Sequence, residues 1–294
     1  MRAILRSGFL ALAIVALAVP ANAEGGLANL IKRWQPFAEQ GDADAQYQLG
    51  TAYSISQGEL QDDAEALKWL RRAAEQGHAK AQSDLGHMYA LGDGVPQDDI
   101  EAAKWYRLAA EQGNADMQFF LGLKYTDGKG VPRDDAEAVK WYRKAAEQGH
   151  ASAQISLGFM YLTGGEGVPQ DYVEAVKWWR KAAEQGNATA QFGLGRRYDE
   201  GEGVPQDDTE AVKWYRLAAE QGLDHAQIML GLMYLDGKGV PQDYVSAHMW
   251  FNLSAVQGYI DAQEERDMAA KLMTPDQIAE AQRMAREWLE KHQQ

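Results

Sequence analysis

The aspartates are the first residues that could do chemistry. Asp93, Asp98 and Asp99, and again Asp127, Asp134 and Asp135, gather in short glycine-containing stretches, and clustered carboxylates of this kind could hold a hard cation such as calcium. Their spacing departs from the 12-residue calcium-loop pattern, and the aspartate pairs stand where helix N-caps are needed, so no metal is expected. His78 and His150 occupy equivalent places in the chain and read as solvated, while His87, His225 and His248 show no ligand-like spacing. With no cysteine, disulfides, thiolate nucleophiles and cysteine-based zinc sites are excluded. Ser-x-x-Lys, His-Glu-x-x-His, Gly-x-Ser-x-Gly and P-loop motifs are absent from the sequence. No catalytic residue and no cofactor is expected.

What the chain does contain is one unit written repeatedly. Ala-Glu-Gln-Gly ends at Gly41, Gly77, Gly113, Gly149, Gly186 and Gly222, and Ala255-Val256-Gln257-Gly258 closes the series. The spacing is 36 residues except for a single 37, explained by an extra residue in Gly164-Gly165-Glu166-Gly167. A fixed period of this length specifies a repeat architecture before local propensity is considered. Ala81, Leu85 and Tyr89 recur at helical spacing, and Ala102, Trp105, Tyr106, Ala109 and Ala110 form the stripe of a second amphipathic helix. Each unit is thus a helical hairpin, turning at sequences such as Gly92-Asp93-Gly94-Val95-Pro96.

Capping chemistry marks the second helix. Asp98 can accept from the first-turn amides while Glu101 reaches back to the N-cap amide, and Asp62/Glu65, Asp134/Glu137, Asp171/Glu174 and Asp207/Glu210 repeat the box, with Asp243/Ser246 in the last unit. Gly50, Gly86, Gly122, Gly158, Gly195 and Gly231 fall inside the first helix, where each costs about 1 kcal/mol against alanine. Close approach to small Ala74, Ala110 and Ala146 is the expected compensation, with Trp69, Trp105, Trp141, Trp178, Trp214 and Trp250 filling the adjacent core. A lone N-terminal helix over residues 24–41 and C-terminal helices over 259–294 are expected to cap the array, the last opening with the box Thr274-Pro275-Asp276-Gln277.

Residues 1–23 read as a signal peptide: Arg2 and Arg6, an apolar run from Gly8 to Val19, and Ala21-Asn22-Ala23 before the cut. A periplasmic or secreted protein is therefore expected, with no stable membrane insertion after cleavage. Its removal takes the net charge from −14 to −16, a field that opposes contact with phosphate backbones, so nucleic acid is not an expected partner.

The 36-residue period, Leu-Gly-x-x-Tyr, Gly-x-Gly-Val-Pro-x-Asp and Ala-x-Lys-Trp-Tyr-x-x-Ala-Ala-Glu-Gln-Gly together resemble Sel1-like repeats, relatives of tetratricopeptide repeats, over residues 42–258. The resemblance implies an all-α, right-handed α-solenoid of about six helix-turn-helix repeats and a non-catalytic scaffold or regulator. Cysteine-rich relatives described as binding or hydrolysing β-lactams supply an enzymatic alternative, but this chain lacks their cysteines.

Positions that differ between repeats should carry the partner information. Six residues after each Gln-Gly glycine stand Tyr47, Ser83, Phe119, Ile155, Phe192 and Ile228, and four later Thr51, His87, Leu123, Phe159, Arg196 and Leu232, on one helix face. The resemblance places that face on the concave side, where Phe119, Leu123, Ile155, Phe159, Phe192, Arg196 and Ile228 would bind a protein or peptide of the cell envelope. Packing between neighbouring first helices is the other reading of the same residues. A third possibility is peptidoglycan or glycan binding by exposed aromatics such as Trp179.

Overall fold

The two apolar periods in each repeat become two helices. The computed structural model describes residues 23–55 and 62–292, and among them helices account for all regular structure. After α1 (Ala23–Glu39) come six pairs: α2 (Ala43–Ile55) with α3 (Asp63–Glu75), α4 (Ala79–Leu91) with α5 (Asp99–Glu111), and α6 (Ala115–Asp127) with α7 (Asp135–Glu147). Then follow α8 (Ala151–Thr163) with α9 (Tyr172–Glu184), α10 (Ala188–Glu200) with α11 (Asp208–Glu220), and α12 (Asp224–Asp236) with α13 (Tyr244–Val256). The chain closes with α14 (Ile260–Lys271) and α15 (Pro275–His292). The extra residue of the fourth repeat sits in a turn bridged between Gly165 and Val168. The export segment read at 1–23 lies outside the described residues apart from Ala23.

Helix ends follow from cap chemistry. The Asp98 carboxylate accepts from the Ile100 and Glu101 amides, and Gly113 ends α5 at φ +94°, a conformation that glycine adopts without steric cost. Only half of the expected box forms on α5. Glu101 does not reach back to Asp98, whose amide donates instead to the Tyr89 carbonyl of α4; the Glu101 carboxylate accepts from the Trp105 indole at 3.1 Å and from Lys104. Glu65 and Glu174 likewise accept from Trp69 and Trp178. With the Asp98 amide already satisfied by Tyr89, the Glu101 carboxylate is free to accept from the buried indole N–H, which needs an acceptor. The reciprocal box forms at Thr274, where Gln277 Oε1 accepts from the Thr274 amide at 2.8 Å and Thr274 Oγ1 from the Gln277 amide.

His78 and His150, expected to be solvated, are N-caps: each Nδ1 accepts from the amide three residues on, at 3.1 Å. Asn114 and Asn187 do the same in their repeats. The first helix starts there, so a side-chain acceptor has an orphan amide to satisfy.

The six core tryptophans are all buried, Trp178 at 2% exposure. The helical glycines compensate differently from expectation. They face the residue after the tryptophan, not the small alanines: a Cβ at Gly86 would run into the Tyr106 ring, at Gly158 into Trp179, at Gly195 into Tyr215 and at Gly231 into Phe251, while Gly50 meets Leu70. The missing side chain is the socket for a large one on the partner helix.

The chain divides into two compact units, Met1–Trp141 and Tyr142–Gln294. In the first, Ile31 and Ala38 of α1 cover Ala45, Leu49 and Ala52 of α2 and Trp69 of α3. In the second, Ala281 and Ala285 of α15 close a core built on Tyr215, Leu230 and Trp250, and Trp288 packs against it. Among the described residues no helix is long and apolar enough to cross a membrane.

Within each unit, two ladders set the register between successive pairs. Buried Gln82 donates to the Ala74 carbonyl at 3.0 Å and accepts from Gln112 at 2.7 Å, and Gln112 also reaches the Gly77 carbonyl. Gln191 and Gln227 repeat the pattern in the second unit with Gln221 and Gln257. Arg180 and Arg216 donate to Tyr198 and Tyr234 of the following first helix at 2.6 and 2.7 Å; in the first unit Arg71 pairs with Tyr89, and Arg107 with Tyr125. Replacing Gln82 by leucine leaves the Ala74 carbonyl and Gln112 without this partner. We expect Gln82→Leu to lower unfolding free energy by about 1–2 kcal/mol, read as a shift in the urea midpoint; an unchanged midpoint would assign the ladder no energetic role.

Candidate functional site

Where the core sequence is repetitive, the exposed face of each first helix is not. That face runs through positions three, seven, ten and fourteen after each closing glycine. In α8 it exposes Ser152, Phe159 and Thr163, in α10 Thr189, Arg196 and Glu200, and in α12 His225 and Asp236. Helical geometry requires this stripe, because the intervening Leu157, Leu194 and Leu230 are wholly inside.

In the second unit the structure separates the proposed residues into two sets. Phe159 is 46% exposed and stands edge-on to the Trp179 ring, centroids 5.2 Å apart. Arg196 is also exposed and pairs with Glu200 at 2.5 Å. Phe192 is half-buried against Tyr215 and His225, at 5.9 and 6.1 Å. Ile155 and Ile228 turn inward: Ile155 packs on the cluster containing Leu194 and Trp214, and Ile228 on Ala247 and Phe251. Helices α8 and α10 are adjacent around one indole, since Phe159 touches Trp179 on one side and Gly193 of α10 lies against the same ring on another. In the second unit the sixth-position column therefore packs, and the tenth-position column is open at Phe159 and Arg196, while Leu232 packs beside Ile228.

In the first unit Phe119 and Leu123 are both half-buried on α6, and the Phe119 ring lies 5.6 Å from Phe120. Phe120 was not singled out from sequence, yet it stacks on Tyr106 at 5.7 Å and stands 5.0 Å from His87. His87 Nδ1 lies 3.0 Å from the Tyr106 hydroxyl, and burial pushes its pKa down to about 4 against a weaker opposing pull from Asp116. It is a neutral residue wedged between rings. Burial, then Asp99, raises the Tyr106 hydroxyl.

Trp179, read from sequence as an exposed aromatic for glycan stacking, is 3% exposed. Its indole fills the Gly158 socket and donates to the Ile155 carbonyl at 3.2 Å, so it presents no stacking face. Adjacent to it, buried Arg197 pairs with Glu200 at 2.5 Å and with Glu202. That arrangement holds the turn after α10.

The acidic turns are occupied by intramolecular partners: Asp99 receives Lys124 at 2.5 Å, Asp127 receives Lys129, and Asp135 receives Arg133. Among the described residues no three His, Asp or Glu side chains converge as a metal site would require.

The Sel1 repeat family matches at residues 43–78, 79–114, 115–150, 151–187, 188–223 and 224–259. Among solved structures, the chain is similar to a protective antigen of uropathogenic Escherichia coli strains displaying an SLR fold, with 41% identity and a TM-score of 0.75 over 89% of this chain. The chain spans 56% of that protein's length. It is also similar to a Sel1 repeat protein from Oxalobacter formigenes, at 36% identity and a TM-score of 0.68 over 85% of this chain and 98% of that one. Among curated proteins none matches.

Proposed function

From the chain's membership of the Sel1 repeat family, whose matches run from residue 43 to 259, we propose that it binds a protein or peptide partner of the cell envelope through the exposed faces of its first helices. Proteins of this family are all-α solenoid scaffolds, typically protein-interaction modules and generally non-catalytic. The observation that carries the narrower reading is Phe159. A phenylalanine 46% exposed, backed by a rigid buried indole and followed one repeat later by exposed Arg196, has the form of an aromatic anchor with a charged neighbour. The partner's envelope location rests on the signal-like segment at 1–23.

Both parts can be tested on the full chain expressed in its own cells. A photo-crosslinking amino acid at position 159 should give a discrete protein adduct, and the same group at Leu217, an exposed apolar residue of α11, should not. Phe159→Ala together with Arg196→Ala should weaken the complex by about thirtyfold or more, since a central aromatic or arginine contact costs about 2 kcal/mol when truncated. No adduct at 159, or equal labelling at 217, rejects the face. Recovery of the mature chain from the periplasm beginning at Glu24 supports export, and recovery of Met1 from the cytoplasm rejects it.

A further inference from the structure

The second helices build the same place twice, and in the last repeat that place is filled. There α15 lies on α13: Ala281 and Ala285, both wholly buried, pack with Met249, Trp250 and Leu253, and Trp288, one turn further along the same face, joins them. The Trp288 ring stands edge-on to Trp250 with centroids 6.4 Å apart, and its Cη2 lies 3.8 Å from where a side chain on Gly222 would begin. Covered in this way, Leu253 is 1% exposed.

Four repeats earlier, Gly77, Trp105 and Leu108 stand where Gly222, Trp250 and Leu253 do. Together with Arg71, Ala74 and Gln82 they line a cavity of about 480 Å³ between α3 and α5, a volume in the range of sites that take a ligand. Here the face is open. Leu108 is 36% exposed, and Ile100, two turns earlier on the same side of α5, is 69% exposed, whereas its counterpart Val245 packs on the covered core. Where α5 has Leu108, α3, α7 and α9 have Arg72, Lys144 and Lys181. The Arg72 and Lys181 cations lie 4.8 and 4.6 Å from the ring centres of Trp69 and Trp178, so those two repeats lay a long side chain of their own over the tryptophan. Leu108 is too short to do so.

We propose that the cleft between α3 and α5 receives a large aromatic side chain carried on an amphipathic helix of a partner polypeptide, seated as Trp288 is seated on α13. The filled place names the occupant: small residues one and two turns before the aromatic let the incoming helix lie close, as Ala285 and Ala281 do. The α15 of a second copy is already seated on its own α13, so the helix comes from another chain. This site is on second helices and stands apart from the first-helix faces.

The test is a display library of 18-residue helices built on the Pro275–His292 sequence, with positions 281, 285 and 288 randomised. It is selected against the full chain and against Leu108→Lys, which installs the residue that two other repeats hold at this position. The proposal expects Trp, Phe or Tyr at 288 and Gly, Ala or Ser at 281 and 285 with the wild type, and loss of that pattern with the variant. Replacing the selected aromatic by alanine should weaken a synthetic peptide about thirtyfold or more, the loss common for a central anchor. Lys104→Met, which copies the Met249 wall of the filled place, should tighten binding, a gain that misfolding cannot produce. Phe159→Ala with Arg196→Ala should leave it unchanged. Selection of no peptide, binders without a fixed aromatic, binding that survives Leu108→Lys, or no gain with Lys104→Met overturns the proposal and leaves the reading of the first-helix faces standing.

Discussion

Trp178→Ala should lower the unfolding free energy by about 3–5 kcal/mol, the range for truncating a fully buried aromatic. Trp178 is 2% exposed, its indole donates to Glu174 at 3.2 Å, and Lys181 and Lys177 stand 4.6 and 5.6 Å from its ring centre. Truncation removes the ring volume, frees a carboxylate from a semi-buried hydrogen bond and takes away the surface on which the lysine stems lie. Urea unfolding followed by far-UV circular dichroism reads the effect directly. A loss below about 1 kcal/mol would place this indole in a surface role and show that it does not fill the core.

Gly158→Ala should lower stability by about 2–3 kcal/mol although helix propensity alone favours alanine by about 1 kcal/mol. The two effects have opposite signs, so the sign of the result decides which governs. The added methyl would overlap Nε1, Cδ1 and Cε2 of Trp179, a ring flanked on another side by the backbone of Gly193 and with its N–H donating to the Ile155 carbonyl. Displacing the indole also disturbs the base on which Phe159 rests, so partner binding should weaken with stability. A stabilised Gly158→Ala protein would show that the socket is empty in solution. Substituting exposed Ser152 of the same helix by alanine is the matched control and should shift the midpoint little.

Much of the fold is legible in the chain because each repeat states its own boundaries. Asp98 and Gly113 specify where a helix starts and stops through amides and backbone angles within a few residues, and local chemistry of that kind needs no tertiary partner. The burial of the tryptophans was equally readable, since their spacing with Ala102, Ala109 and Ala110 defines one apolar stripe.

Apart from the histidine caps His78 and His150, whose bonds are local, the departures turn on what elements distant in sequence bury. Glu101 has two possible bonds, and the burial of Trp105 selects between them. Gly158 signals close contact, but only the crossing of α8 and α9 shows that the neighbour is Trp179. The glutamine ladder was missed because Gln82 and Gln112 lie 30 residues apart, and a repeated glutamine in the sequence looks like any polar surface residue. The proposed binding face followed the same division. Phe119, Leu123, Ile155, Phe159, Phe192, Arg196 and Ile228 were selected by asking where the repeats differ, yet Ile155 and Phe159 lie four residues apart, only roughly 40° around the helix axis, and the neighbouring helices bury the one and leave the other open.

The sequence by itself determined the helix count, the helix ends and the apolar seam, because those depend on spacing and on bonds that close within one or two turns. Tertiary structure decided which large side chain enters each glycine socket, which polar groups are spent on register, and which varied residues remain open to a partner, because each depends on what a neighbouring helix brings against it.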